Sequence, residues 1–441
     1  MKRFFIITLI ITLSNCSFDT KTGIWENSNV VNKKNIDRFK DFETLYAEEK
    51  TFNRIIKPRN NSQIYLDSAI SNQNWLQENF QNSNNFINFS YNGLNEIIFK
   101  SKKLSRNNIN EKFLFDGSNL IATDDKGNII VYSVLNKKIS LKYNFYKKKY
   151  KRTKKKLNII IENEIIYVSD NIGYLYALDY SSKKIIWAKN FKIPFRSNLK
   201  SIDNQIILSD TNNVLYFINK SNGSILRNIP TEENLLKSSY INSLALDNNY
   251  LFYLNTYGSI YSININNGGI NWFLNLNKSL SINPSNLFYS NPLLLDSDKI
   301  IISSDPNLYV FNKKNGVMQK KLSITSINKP VVSNQKIFII TKDNLLVCLD
   351  LSSDKILYSI NIANEIASFL KTKAKSVQIK NFLVANSKIL IFLNNSYLVE
   401  ISSNGIIKKV DKLPAKLNSN PIFSNDSMMY IDKSNKLIIL N

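Results

Sequence analysis

Gly173-Tyr-Leu-Tyr-Ala-Leu-Asp179, followed by Lys184-Ile-Ile-Trp187, is the stretch whose reading decides the fold. Its two apolar runs are short, rich in Tyr, Leu and Ile, and separated by a polar turn, which is the signature of paired strands rather than a helix. The first run recurs as Ile129-Ile-Val-Tyr-Ser133, Leu215-Tyr-Phe-Ile-Asn219, Ile260-Tyr-Ser-Ile-Asn264 and Leu308-Tyr-Val-Phe-Asn312. It continues as Leu346-Val-Cys-Leu-Asp350, Leu398-Val-Glu-Ile-Ser402 and Leu437-Ile-Ile-Leu-Asn441. With Leu175–Asp179 that makes eight copies, spaced at roughly 44 residues on average, as in four-stranded propeller blades. A second β-branched run precedes each copy, so the repeat predicts an all-β, eight-bladed β-propeller.

The turn after the run carries Asn222-Gly223, Asn267-Gly268, Asn315-Gly316 and Asn404-Gly405 in four units. Asn-Gly accepts positive φ at both central residues, which predicts a two-residue type I′ hairpin. Four residues past that glycine position stand Trp187 and Trp272, with Tyr358 and Leu141 as weaker equivalents; Arg227, Lys320 and Lys409 hold the slot elsewhere. The aromatics are expected to cover the joint between neighbouring blades. The eighth unit stops at Asn441, so its outermost strand is missing. Upstream of unit one, Leu94-Asn-Glu-Ile-Ile-Phe99-Lys100 has the look of that strand, with Phe99 in the tryptophan slot. An N-terminal strand closing the last blade removes an open sheet edge.

Composition narrows the chemistry. The 441 residues contain no histidine, which removes Ser-His-Asp and Cys-His hydrolases and histidine-ligated zinc or haem. Two cysteines, Cys16 and Cys348, make no disulfide framework. The formal net charge is +24, but Lys, Asn and Ile are abundant throughout and Gly is scarce (11), so coding bias accounts for part of it. No Gly-rich phosphate loop or usefully spaced carboxylate pair is present, and no catalytic or metal-ligating residue is predicted.

Lys2 and Arg3 precede the apolar run Phe4–Leu13, whose ten residues are too few to span a bilayer of about 30 Å. Leu13-Ser14-Asn15-Cys16 resembles the lipobox of bacterial lipoproteins, which implies a signal peptide over residues 1–15 and acylation of Cys16. Ser17, where aspartate would retain such a lipoprotein, implies export to the outer membrane, lipid-anchored on its periplasmic face. Residues 16–74 are read as the lipidated cysteine and a polar tether, and 75–441 as the propeller.

The Gly173–Trp187 stretch resembles the repeat of PQQ-like propellers, which occurs in quinone-dependent alcohol dehydrogenases and in the BamB-type lipoproteins of outer-membrane β-barrel assembly. The dehydrogenases sandwich a quinone between a tryptophan and a vicinal cysteine pair and hold calcium with acidic groups; no adjacent cysteines exist here. Asn74-Trp75-Leu-Gln77 looks like the Trp-x-Gln that opens the BamB-type propeller. That second resemblance implies a scaffold without cofactors. Its partners would be the periplasmic domains of the BamA-type channel protein and the other lipoproteins of the assembly complex. By the same resemblance the contact falls on Leu235, Leu236, Lys237 and Ser238, entering blade four, although both leucines could instead plug the loop into the core. The next inter-blade loop, Leu287–Pro292, has no acid. A generic periplasmic propeller with another envelope partner fits the remaining features equally.

Lys147-Lys-Lys-Tyr-Lys-Arg-Thr-Lys-Lys-Lys156 puts eight charges in ten residues between the first two units. Such a run stays exposed. Anionic headgroups attract it, a merely solvated loop also accounts for it, and an exported chain meets no nucleic acid.

Overall fold

The computed structural model describes residues 52–58, 63–233, 240–277 and 287–441, and the backbone of 16–18 and 25–27. The chain divides into two units, Met1–Lys50 and Thr51–Asn441. In the first, Cys16–Phe18 pairs antiparallel with Trp25–Asn27, Cys16 opposite Asn27. The signal peptide expected over 1–15 lies outside the described residues.

The second unit is the eight-bladed propeller that the repeat predicts. Blades 1 to 7 are antiparallel meanders over 114–144, 157–190, 200–229, 243–275, 294–322, 331–361 and 379–412. Blade 8 is built from 422–440 and closed by Ile97–Lys100, which pairs with Leu437–Leu440, Phe99 opposite Ile439. The first strand of each blade is innermost, so those of blades 3, 4 and 5 lie side by side. Second and third strands are covered by neighbouring blades on both faces and read as unbroken apolar runs; Ile206–Ser209 and Leu215–Ile218 are buried throughout. The outermost strand keeps only one side in the joint: in Lys184–Asn190, Trp187 is the buried residue.

In all eight blades the pairing of the third and fourth strands shifts register once, for example between Ala177 and Leu178 and between Phe217 and Ile218. A bulge adds local twist, which the splayed outer edge of a blade requires. The residue opposite the last pair before each shift is the slot residue: Trp187 faces Ala177, Trp272 faces Ser262, and Phe99 faces Ile439. The slot side chains of blades 2 to 6 reach the third-to-fourth-strand turn of the following blade. Trp187 donates from Nε1 to Lys220 O (2.6 Å), Trp272 to Lys313 O (3.1 Å), and Arg227 to Ile265 O and Asn266 O (3.3 and 3.1 Å). Phe99 packs beside Tyr132 in blade 1, ring centroids 6.3 Å apart.

Those turns correct the type I′ expectation. Gly223, Gly268, Gly316 and Gly405 have positive φ, but the asparagines before them do not. The loop has four residues in blades 3, 4 and 5 and three in blade 7, where Ser402 O accepts from Gly405 N. Asn219 accepts from Gly223 N (2.9 Å) through its backbone and from Ser221 N (2.8 Å) through its side chain, and Gly223 alone swings left-handed. A β-carbon on Gly223 would stand 2.4 Å from the Trp187 ring, so glycine there serves both the turn and the joint. Blades 1, 2 and 6 put Lys137, Lys183 and Asp354 in the same left-handed position.

Residues 52–58 and 63–74, placed by sequence in the tether, run along the blades. Phe52 and Ile56 bond backbone-to-backbone with Ser323 and Ser359, and Ile64 is buried. Residues 72–92 then enter the central channel and bond to the innermost strand of one blade after another. Trp75 N and O pair with Phe115 of blade 1, Leu76 O accepts from Ile161 of blade 2, and Asn82 O and Ser83 O accept from Leu246 and Leu295 of blades 4 and 5. Asn84 Nδ2 donates to Leu244 O (2.8 Å) and Leu293 O (2.9 Å), and Asn85 makes a two-way bond with Val332 of blade 6. Asn88–Phe89 pairs parallel with blade 7. Trp75, Phe80, Phe86 and Phe89 fill the centre as one aromatic cluster, centroids 4.8–5.7 Å apart.

Candidate partner-docking face

Connections from the outermost strand of one blade to the innermost strand of the next emerge on a single face, because every blade has four antiparallel strands. The channel opens there as a funnel floored by residues 78–86. One hollow, of about 290 Å³, is lined by Glu78, Lys112, Asn198, Tyr240, Ile241 and Tyr289 among others. A second, of about 200 Å³, shares Glu78, Asn79, Lys112, Asn291 and Pro292 with it and extends to Lys329, Asn381 and Pro421.

Leu235, Leu236, Lys237 and Ser238 lie outside the described residues, but the chain on both sides of them is placed. On the near side Glu232 is clamped to blade 4: Oε2 accepts from Tyr261 Oη (2.5 Å) and Oε1 from Ser259 Oγ (2.8 Å). This bond and burial together raise the Tyr261 phenol pKa, burial being the larger cause. On the far side Tyr240 packs against Tyr289 of the next loop, centroids 5.1 Å apart. Ile241 and Tyr289 are both exposed at the rim. The chain thus rejoins the blades, at Tyr240 and Ile241, beside an apolar-aromatic edge of the funnel.

The second loop lacks an acid, as its sequence says. A carboxylate reaches the funnel from elsewhere: Glu78, on the channel segment, pairs with Lys112 at 2.7 Å. Sequence reasoning missed Glu78 and Lys112 because nothing local marks a loop residue for a channel mouth. Two further cations are buried beneath. Lys200 Nζ donates to Gln77 Oε1 (2.8 Å) and Gln81 O (2.9 Å); Lys329 Nζ donates to Asn84 O and stands 3.3 Å from the centre of the Phe86 ring. Burial holds both ammonium pKa values well below the usual lysine range. Glu78 opposes this weakly at Lys200, whereas Lys200 adds to it at Lys329. Arg196, buried between blades 3 and 4, donates from Nη2 to Asn213 Oδ1 (3.0 Å) and Thr256 Oγ1 (2.6 Å).

These groups hold the floor of the funnel in shape. Among the described residues no three carboxylates or thiols come together to hold a metal ion. Cys348 is buried in the third strand of blade 6, with no second cysteine in its sequence neighbourhood to form a vicinal pair. The donor set does not fit a quinone and its calcium.

The family model of the outer membrane protein assembly factor BamB matches residues 152–359. The outer membrane protein assembly factor BamB of Moranella endobia (strain PCIT) is 23% identical over 309 residues, 64% of this chain and 74% of that protein. BamB from Moraxella catarrhalis superposes with a TM-score of 0.61 at 12% identity, over 78% of this chain and 99% of that one. The chain is an eight-bladed propeller of PQQ-like repeats that resembles BamB. The wider architecture is shared with enzymes: a europium-containing methanol dehydrogenase gives a TM-score of 0.59 at 11% identity, over 83% of this chain and 89% of that one. At such identity the likeness is one of fold.

Proposed function

We propose that the chain is a non-catalytic scaffold lipoprotein of the outer-membrane β-barrel assembly machinery, holding the periplasmic domains of a BamA-type channel protein. The observation that carries this reading is the funnel rim, where Tyr240, Ile241, Tyr289 and Pro292 line one hollow and Tyr240 directly follows residues 234–239 in the chain. Exposed aromatic and branched side chains around a rigid hollow suit docking, and burying one such side chain stabilises a complex by roughly 1.5–3 kcal/mol. Leu236 and Lys237 supply an apolar contact and a cation from the loop itself. Acylation of Cys16 after removal of residues 1–15 would anchor the chain, leaving the rest of the first unit as tether.

Co-purification of the full-length protein from detergent-solubilised envelopes tests the reading. A BamA-type channel protein is expected in near-stoichiometric amount, and its recovery should fall at least tenfold with Leu236→Asp/Lys237→Asp and with Ile241→Asp/Tyr289→Asp. Absence of the channel protein from preparations of intact lipoprotein would overturn it. Mass spectrometry of the N-terminal peptide should find acyl chains on Cys16.

A further inference from the structure

The basic run between blades 1 and 2 is folded rather than loose. Phe145 stacks on Tyr176 (centroids 4.5 Å, planes 14° apart), and Tyr146 donates from its hydroxyl to Asp170 Oδ2 at 2.6 Å. Gly127 opposite makes room for the Tyr146 ring, which would stand 2.4 Å from a β-carbon there. A single 3-10 turn, Lys148–Tyr150, then carries the chain back toward blade 2, and Lys155, itself buried, donates to Tyr150 O.

The result is a concave pocket of about 960 Å³ whose lining contains Lys126, Lys147, Lys148, Lys151, Arg152 and Lys155 and no acidic residue. Among the described residues no carboxylate lies within ion-pairing distance of these six cations. The acids that act on Lys155 through space are Asp124, Asp125 and Asp170. Two of the three are committed elsewhere: Asp124 accepts from Ser105, Asn107 and Asn128, and Asp170 from Tyr146 and three backbone N–H groups. Six cations on one concave wall repel one another unless an anion joins them, and clustered phosphate oxygens match that geometry.

A second feature of the same face points to where such phosphates come from. The helix Ile362–Leu370 lies in the connection between blades 6 and 7, on the face shared by all such connections. It ends with Phe369 and Leu370 exposed, followed by exposed Lys371, Lys373 and Lys375. Exposed apolar side chains flanked by lysines suit the boundary between headgroups and acyl chains.

We propose that the pocket formed by Lys126, Lys147, Lys148, Lys151, Arg152 and Lys155 binds the phosphate groups of anionic lipid headgroups. This site is separate from the funnel rim, and its failure would leave the assembly reading untouched.

The test is co-sedimentation of the full chain carrying Cys16→Ser with phosphatidylglycerol–phosphatidylcholine vesicles, with pure phosphatidylcholine vesicles and pyrophosphate titration as separate arms. At about fivefold per basic residue, Lys148→Gln/Lys151→Gln/Arg152→Gln should weaken binding to anionic vesicles on the order of 100-fold. Lys138→Gln/Lys184→Gln/Lys314→Gln, which removes equal charge from the opposite face, should change it less than threefold. Lys148→Arg/Lys151→Arg should retain binding, which separates loss of charge from loss of fold. Equal losses in the two neutralised triples would overturn the site. So would pure phosphatidylcholine binding as tightly, and displacement by equimolar pyrophosphate would overturn the lipid as the source of phosphate.

Discussion

Trp187 shows how much one side chain settles in a repeat architecture. Its ring closes over the Gly223 turn of the next blade and its Nε1 satisfies a backbone carbonyl there. Trp187→Ala should therefore lower unfolding free energy by about 3–5 kcal/mol in guanidinium melts, from cavity and lost bond together. The left-handed turn residues allow a prediction of opposite sign. Lys183 holds φ +62°, a conformation that costs an L-residue about 1–2 kcal/mol, and its side chain is exposed. Lys183→Gly should raise stability by about 0.5–1 kcal/mol, once the greater freedom of glycine in the unfolded chain is subtracted. Cys348 is inert for a physical reason: burial pushes its thiol pKa up to about 12. In a Cys16→Ser chain a thiol reagent should find no reactive group until the protein unfolds.

At the scale of elements, two pieces of the N-terminal part of the propeller do different work. Ile97–Lys100 covers the edge of Leu437–Leu440, all four of whose residues are buried. Replacing Ile97–Lys100 by Gly-Ser-Gly-Ser should open that edge, and light scattering should report self-association where the native chain stays monodisperse. The channel segment 72–92 instead ties the innermost strands together. Asn84→Ala leaves Leu293 O without its donor, whereas Leu244 O keeps a second bond from Asn198 Nδ2 (2.9 Å), so a loss of about 1–3 kcal/mol is expected for the one buried group orphaned. The closing strand was legible because it repeats the blade pattern, Phe99 included. The channel segment was legible only at Trp75, because its other contacts come from Asn and Ser side chains and bare backbone, which carry no period.

For the whole molecule, stability should vary with pH in two opposing limbs. Unfolded lysines titrate near 10.4, whereas burial depresses Lys200 and Lys329, so below that pH the unfolded state binds more protons and stability rises with pH. Buried tyrosines act the other way. Tyr167 is pushed up to about 12, and Tyr91 and Tyr176 further, so above about pH 10 the unfolded chain loses phenol protons first and stability falls. Guanidinium midpoints should climb as pH approaches about 10 from below and drop above it, and Lys329→Met should flatten the rising limb alone.

The sequence by itself determined the blades, their number, the closing strand and the slot residues. Each of these is a local pattern of apolar and turn residues repeated at a fixed spacing, and burial on both blade faces forces that pattern into view. The register shift in every outer pairing, the three- and four-residue turns in place of two-residue ones, the filled channel and the funnel of Glu78, Lys112, Tyr240 and Tyr289 were decided only by the tertiary structure. The channel and the funnel join residues from distant blades through backbone bonds and polar side chains, while the shifts and turns are backbone geometry inside each blade, and none of these is carried by the apolar period of the chain.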